Sequence, residues 1–427
     1  MILRETAYLL LLLMMISGCK TEYNYADFKA ERTVAAERKK FDRKLKEQTI
    51  LQTVQTPPSA ENEEAWQGAF WAMELCSFRN DTSRQAVQTA LKNFNARSRQ
   101  FQRAALECAI ALFPNEFAET VNTIAQQTAS EKIFTMAVHY LQQADSSLFN
   151  KEWCLNLIQN KFSSRRDHPI LRMLQFQLRA EHRNRPPLID LLVHPFPGQM
   201  PVIFSLQRRN RDYPGLALIR KGNGRFLREK DGSIFSVRQL ARSMSNMPGF
   251  LTNGNSPQGV YSVNGTASSD NVFIGPSPVL QSFLPFEVQL STFLHSAKYK
   301  NKSWDLEIYK KILPDSWQNH RPLYEAFFAG KAGRSDIIIH GSTINPEYYK
   351  NTPFYPLTPS LGCLTSFEKW SAHDGSCQHS GQIDLVNGFV GSGDGKGFLA
   401  VIEIDEKKRP VELPDIKEII LAAESAL

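Results

Sequence analysis

Between Asn62 and Arg185 apolar residues recur at three- and four-residue intervals, as in Phe70, Trp71, Met73, Leu75 and Cys76, with almost no glycine. That spacing keeps one face of a helix apolar and predicts a helical region, placed at residues 61–190. Three related apolar blocks, Ala69 to Phe78, Ala104 to Phe113 and Met136 to Leu141, fall a little over thirty residues apart, with a fourth from Leu171 to Ala180. The period fits stacked helix pairs of the HEAT or tetratricopeptide kind, and a non-repetitive helical bundle fits the same residues. Cys76, Cys108 and Cys154 sit in apolar helical surroundings, where a cysteine serves as a small buried hydrophobe.

The pattern changes at Pro186-Pro187 and again at His194 to Gly198, where prolines forbid helix continuation. Beyond this break, residues 200–427 read as a mainly β domain. Leu216 to Ile219, Phe226-Leu227 and Ile234-Phe235 are short strands joined by tight turns at Lys221 to Gly224 and Asp231-Gly232. Ile337 to Ile339 is a β-branched run expected to be a buried strand. Gly391 to Gly397 is glycine-rich but lies between two apolar strand-like stretches, so it reads as a turn and not as a phosphate cradle. A terminal helix is expected from about Pro414. The fold class that results is multidomain α and β, a helical unit followed by a mainly β unit.

Upstream of the helical region lie an apolar run, Leu9 to Ile16, and a charged stretch typified by Glu37-Arg38-Lys39-Lys40 and closed by Pro57-Pro58. The run is too short to span a bilayer and, preceded by Arg4, reads as a signal peptide over residues 1–18. Residues 19–60 read as a partly helical tether. Ile16-Ser17-Gly18-Cys19 resembles a bacterial lipobox, which implies lipidation of Cys19 and anchoring at the cell envelope through acyl chains. An ordinary signal peptide, or a short buried helix containing a cysteine, fits the same residues. With 42% hydrophobic and 22% charged residues in a chain of 427, membrane attachment must come from such a local device. The formal charge of +7 permits an anionic polymer or membrane surface as partner, and export leaves no role for nucleic acid. Without Cys19 five cysteines remain, an odd number with no regular spacing, which argues against a disulfide scaffold.

The chemistry concentrates late in the chain. Ile337 to Ile339 delivers His340-Gly341 at a strand end, and Ser360-Leu361-Gly362-Cys363 places a cysteine after a glycine in a turn. These are the parts of a thiol nucleophile and its base, provided the fold brings them within reach. Taken singly, each also reads as a packed histidine or an inert buried cysteine. A zinc site drawn from His340, Cys363, His373, Cys377 and His379 lacks paired knuckle spacing, and a Cys363–Cys377 disulfide would silence the nucleophile.

Together with Ser256-Pro257-Gln258-Gly259-Val260-Tyr261, these segments resemble, in the same order, the motifs of the L,D-transpeptidases: Thr/Ser-Pro-x-Gly-x-Tyr/Phe, His-Gly and Ser/Thr-His-Gly-Cys. They cover about 110 residues of the β region. Two positions depart from the family pattern: Leu361 replaces the histidine before Gly-Cys, and Leu364-Thr365 stands where an aliphatic residue and arginine or asparagine are common. The interval from His340 to Cys363 is also longer than usual, implying an insertion around Asn345 to Tyr355.

The resemblance implies an L,D-transpeptidase-like catalytic domain using no cofactor and no metal. Cys363 would be the nucleophile and His340 its base, with the Gly341 carbonyl orienting the imidazole. The backbone N–H groups of Leu361, Gly362 and Cys363 would form the oxyanion hole, and Ser360 and Tyr261 would line the cleft. It further implies peptidoglycan tetrapeptide stems as donor, attacked to give a thioester that passes to an amine or, in a carboxypeptidase, to water. The rival class is a non-catalytic lipoprotein that binds peptidoglycan or a protein partner through the helical region.

Overall fold

The computed structural model describes residues 22–145, 147–179 and 185–427. The apolar run, Ser17-Gly18 and the lipidation candidate Cys19 lie outside the described residues. Helices follow the apolar spacing closely: α1 (Ala35–Arg43), α2 (Glu63–Leu75), α3 (Asp81–Lys92), α4 (Arg99–Leu112), α5 (Ala118–Gln127), α6 (Glu131–Gln143), α7 (Lys151–Lys161) and α8 (Pro169–Leu178). Asn80, Ser98, Ser130 and Asn150 cap α3, α4, α6 and α7 by accepting a first-turn backbone N–H, which stops each helix where the apolar period begins.

From α2 onward the helices form two layers. The even-numbered α2, α4, α6 and α8 pack in succession as an inner layer, and α3, α5 and α7 each lie against the inner helix that follows. Two ion pairs repeat the arrangement: Glu63 with Arg97 and Glu131 with Arg165, each running from the first residue of an inner helix to the turn before the next, 34 residues on.

The β region closes on itself. Strands β1 (Val202–Arg208), β2 (Gly215–Arg220), β3 (Val237–Leu240), β4 (Gly259–Ala267), β5 (Val279–Phe283), β6 (Ile339–His340), β7 (Leu364–Ser366) and β10 (Lys396–Asp405) form a barrel in the order β1-β10-β4-β5-β6-β7-β3-β2, while β8 (Glu368–Trp370) and β9 (Cys377–Ser380) make a separate hairpin. The pairs β1/β10 and β6/β7 are parallel and the rest antiparallel. All seven residues of β1 are buried, as expected of a strand covered on both faces.

Three expectations change on inspection. Phe226-Leu227 and Ile234-Phe235 are not full strands; they make single bridges, Arg220 to Phe226 and Arg228 to Ile234, because each run is too short for a ladder. The apolar stretch before the Gly391–Gly397 turn is a helix, Gly381–Gly391, started by Ser380, whose side chain accepts the Ile383 N–H. The start of the charged stretch read as a tether is folded down onto the β8–β9 hairpin and the Gly381–Gly391 helix. The Ala30 N–H donates to Gly375 O (2.8 Å), and the Cys377 N–H donates to Phe28 O (3.0 Å). Tyr25 donates to Asp384 (2.6 Å), and Asn387 holds both the N–H and the C=O of Tyr23. Tyr23, Tyr25, Phe28 and Ala30 pack on Trp370, Cys377 and Ile383.

One hydrophobic core runs through helices and barrel alike. The inner helices lean on the barrel loops: Trp71 against Phe273 (5.4 Å between rings), Phe176 against Phe328 (5.7 Å), Tyr349 donating to Leu75 O (2.7 Å), and Asn253 donating to Glu107 (3.1 Å).

Candidate active site

The fold draws the three motifs together. Strands β6 and β7 are parallel neighbours with Ile339 opposite Leu364 and His340 opposite Thr365. The Leu364 N–H donates to Ile338 O (3.1 Å), so Cys363 lies beside Ile338, one pleat before His340. Alternation places Ile339 and Leu364 in the barrel core and turns Ile338, His340, Cys363 and Thr365 to the other face. The upstream motif arrives through Ser256, whose hydroxyl donates to Gly362 O (2.8 Å).

The turn before Cys363 is held from within. Ser360 Oγ accepts the Gly362 N–H and donates to Cys363 O, both at 2.9 Å, so Ser360 shapes the turn. Gly362 has φ of 121°, and a Cβ there would strike the Arg334 guanidinium and Gly254 O, so the position demands glycine. The Gly362 N–H is thereby committed to Ser360 and removed from the expected oxyanion hole. The N–H groups of Leu361 and Cys363 have no hydrogen-bond acceptor among the described residues. Leu361 is 46% exposed, its side chain in solvent, so this departure from the family pattern contributes backbone alone. Thr365 is buried and donates to Thr358 O (2.8 Å), a structural bond. Tyr261 corrects an expectation: it is 0% exposed and donates to Pro257 O (2.7 Å), because β4 turns it into the core and away from any cleft.

His340 is buried, and its Nδ1 hydrogen bonds to Gly341 O. A carbonyl accepts only, so the proton sits on Nδ1 and Nε2 carries the lone pair. Burial drives the imidazole pKa down to about 4, against the help of the Gly341 carbonyl, and the ring is neutral. The Cys363 thiol donates to Asp336 O (3.4 Å) and is pushed up to about 11 by burial, opposed by the Ile338 N–H and by the positive charge of Arg334. No hydrogen bond joins His340 to Cys363 among the described residues. The resting pair is a neutral thiol and a neutral imidazole on adjacent strands.

Two residues that sequence reasoning missed support this pair. Arg334 is buried behind Gly362 with no carboxylate in contact; its guanidinium donates to Gly249 O, Gly254 O (2.5 Å) and Asn255 O (2.8 Å), fixing the loop that backs the cysteine turn. Glu368 accepts the Ser342 N–H (2.9 Å) and the Ser380 hydroxyl (2.7 Å), and its carboxylate fills the space where a Gly341 side chain would be. Burial raises its pKa to about 7. In the sequence both look like ordinary charged residues of polar stretches, and no spacing distinguishes them.

The remaining candidates lie elsewhere. Cys377 is a free thiol packed with Ala30, Trp370 and Ile383, unpaired with Cys363. Among the described residues no three His, Cys, Asp or Glu side chains converge to hold a metal ion. Cys76, Cys108 and Cys154 are buried free thiols. No helix among the described residues is long and apolar enough to cross a membrane. No protein-family model, curated protein or solved structure matches the chain.

Proposed function

We propose that this chain is an envelope lipoprotein, anchored through Cys19, whose barrel performs Cys363-dependent acyl transfer on peptidoglycan tetrapeptide stems. The observation that carries the reading is the parallel pairing of β6 with β7, which sets Cys363 and His340 on one face of neighbouring strands. Catalysis requires the thiol to turn from Asp336 O toward His340 Nε2. The S–H proton then passes to Nε2 and the thiolate attacks the carbonyl of the third stem residue. The C–N bond to the terminal D-alanine breaks as the imidazolium returns the proton to the leaving amine. The thioester passes to an acceptor amine, giving a crosslink, or to water, giving a carboxypeptidase.

The free N–H groups of Leu361 and Cys363 are the donors available to a developing oxyanion, and removing one such donor elsewhere costs about 3 kcal/mol of transition-state stabilisation. The 34-residue recurrence of Glu63–Arg97 and Glu131–Arg165 supports a repeat array of the HEAT or tetratricopeptide kind. Its inner face is occupied by the barrel, which leaves the outer layer for a protein partner.

Mass analysis of tetrapeptide stems incubated with wild type and with Cys363→Ala tests the activity. Loss of D-alanine or crosslink formation is expected with wild type alone, together with covalent labelling of wild type by a carbapenem. Intact stems and no labelling would sink the reading. A specific observation favours a second one: the thiol is protonated and bonded away from its base, as suits a domain that binds stems without turning them over. Stem binding unaffected by Cys363→Ala, with no turnover, is its outcome.

A further inference from the structure

Beside the strand end that carries His340, a cleft of about 400 Å³ opens between the segment after Ser342, the Tyr355–Thr358 turn and β8, with Arg38 of α1 closing one side. That volume is within the range of small-ligand sites, roughly 300–1,000 Å³. One buried polar atom of a wall residue lacks a partner: Arg38 Nε. Arg38 makes no ion pair among the described residues. Glu347, whose charge bears on Arg38, accepts from Tyr355 OH (2.9 Å) and pairs with Lys350 (3.8 Å) instead. Lys369, on the same cleft, is likewise without an ion pair. An unsatisfied buried donor in a native protein calls for a partner, and two cations lining one cavity call for an anion.

We propose that this cleft binds the carboxylate of a short peptide, held by Arg38 and Lys369, its apolar part against Tyr355 and Trp370. Glu368 on the same wall argues for a singly charged carboxylate over a phosphate dianion, and the flanking rings and prolines argue for an organic body. The site holds whether or not Cys363 turns substrate over, because α1 lies outside the motifs from which acyl transfer was inferred.

The test uses full-length protein carrying Cys363→Ala, so that acyl transfer plays no part, with acetyl-L-lysyl-D-alanine and its C-terminal carboxamide as probes in titration calorimetry. The acid is expected to bind about tenfold or more tighter than the amide, the size of a hydrogen bond to a charged group. That preference should fall below about twofold in Arg38→Gln and weaken in Lys369→Gln, an exposed strand position that keeps the test available should Arg38→Gln not fold. Equal binding of acid and amide, no binding of either at millimolar concentration, or a preference untouched by both substitutions overturns the assignment. Inorganic phosphate displacing the peptide at equal concentration would overturn the carboxylate part of it.

Discussion

At the scale of single residues, the site is an exercise in burying charge beside a thiol. Arg334 is a cation without a carboxylate in contact, stabilised by three backbone carbonyls, and it opposes the rise that burial imposes on Cys363. Glu368 is the mirror case, a carboxyl kept near neutrality by burial. Its folded pKa of about 7 lies above its unfolded value, so between roughly pH 4.5 and 7 the folded state binds the extra proton, and the stability Glu368 contributes is lost as pH rises through that window. Glu368→Gln cannot lose a proton. In urea unfolding followed from pH 5 to 8, the stability advantage of wild type over Glu368→Gln should shrink with rising pH by about 2–3 kcal/mol; a constant difference would remove the raised pKa. His340 and Cys363 were legible in the sequence because a β-branched run and a Gly-Cys turn give them a local signature. Arg334 and Glu368 were not, because a buried charge and a surface charge are written with the same letter. Tyr261 was misplaced for a related reason: a strand tyrosine faces cleft or core according to register, which one strand alone does not fix.

Among the elements, the capped helices were the most legible, since Asn80, Ser98, Ser130 and Asn150 stand where each apolar period starts. Strands were harder. Strand β6 has two residues, fewer than the apolar run that announced it, and owes its place to pairing with β5 and β7. The segment before α1 was the least legible, because its few aromatic residues are scattered among charges. Yet Tyr23, Tyr25, Phe28 and Ala30 cover the β8–β9 hairpin and the start of the helix Gly381–Gly391. Removal of residues 22–34 should therefore lower the melting temperature, by about 2 °C for each 2 kcal/mol lost in a cooperative chain of this size, and should open the hairpin to limited proteolysis near Trp370. An unchanged cleavage pattern would mean the segment rests on the hairpin without stabilising it.

For the whole molecule, the composition break at Pro186-Pro187 marks where helices give way to strands, and the chain does change there. What it conceals is that the two halves bury each other's faces. An apolar helix face reads the same whether another helix or a barrel loop covers it. Because one core is continuous through both, unfolding should be cooperative across the chain. Phe101, 0% exposed and packed on Phe70 and Trp66 in the inner layer, gives a handle within the helical half. Phe101→Ala should cost about 3–5 kcal/mol and move a single calorimetric transition down intact. A helical transition that shifts alone, leaving a barrel transition in place, would show two independent units.

The clasp between Tyr23 and Asn387 limits how far the molecule can stand from its anchor. With lipid on Cys19, as proposed, only three residues, Lys20 to Glu22, lie between the lipidated cysteine and the first fixed point at Tyr23, four Cα-to-Cα steps in all. A fully extended chain covers at most ~3.6 Å per residue, so the leash is about 14 Å long. Such a protein would patrol the sheet of wall nearest its own membrane, with the face around Asn387 turned toward the lipid.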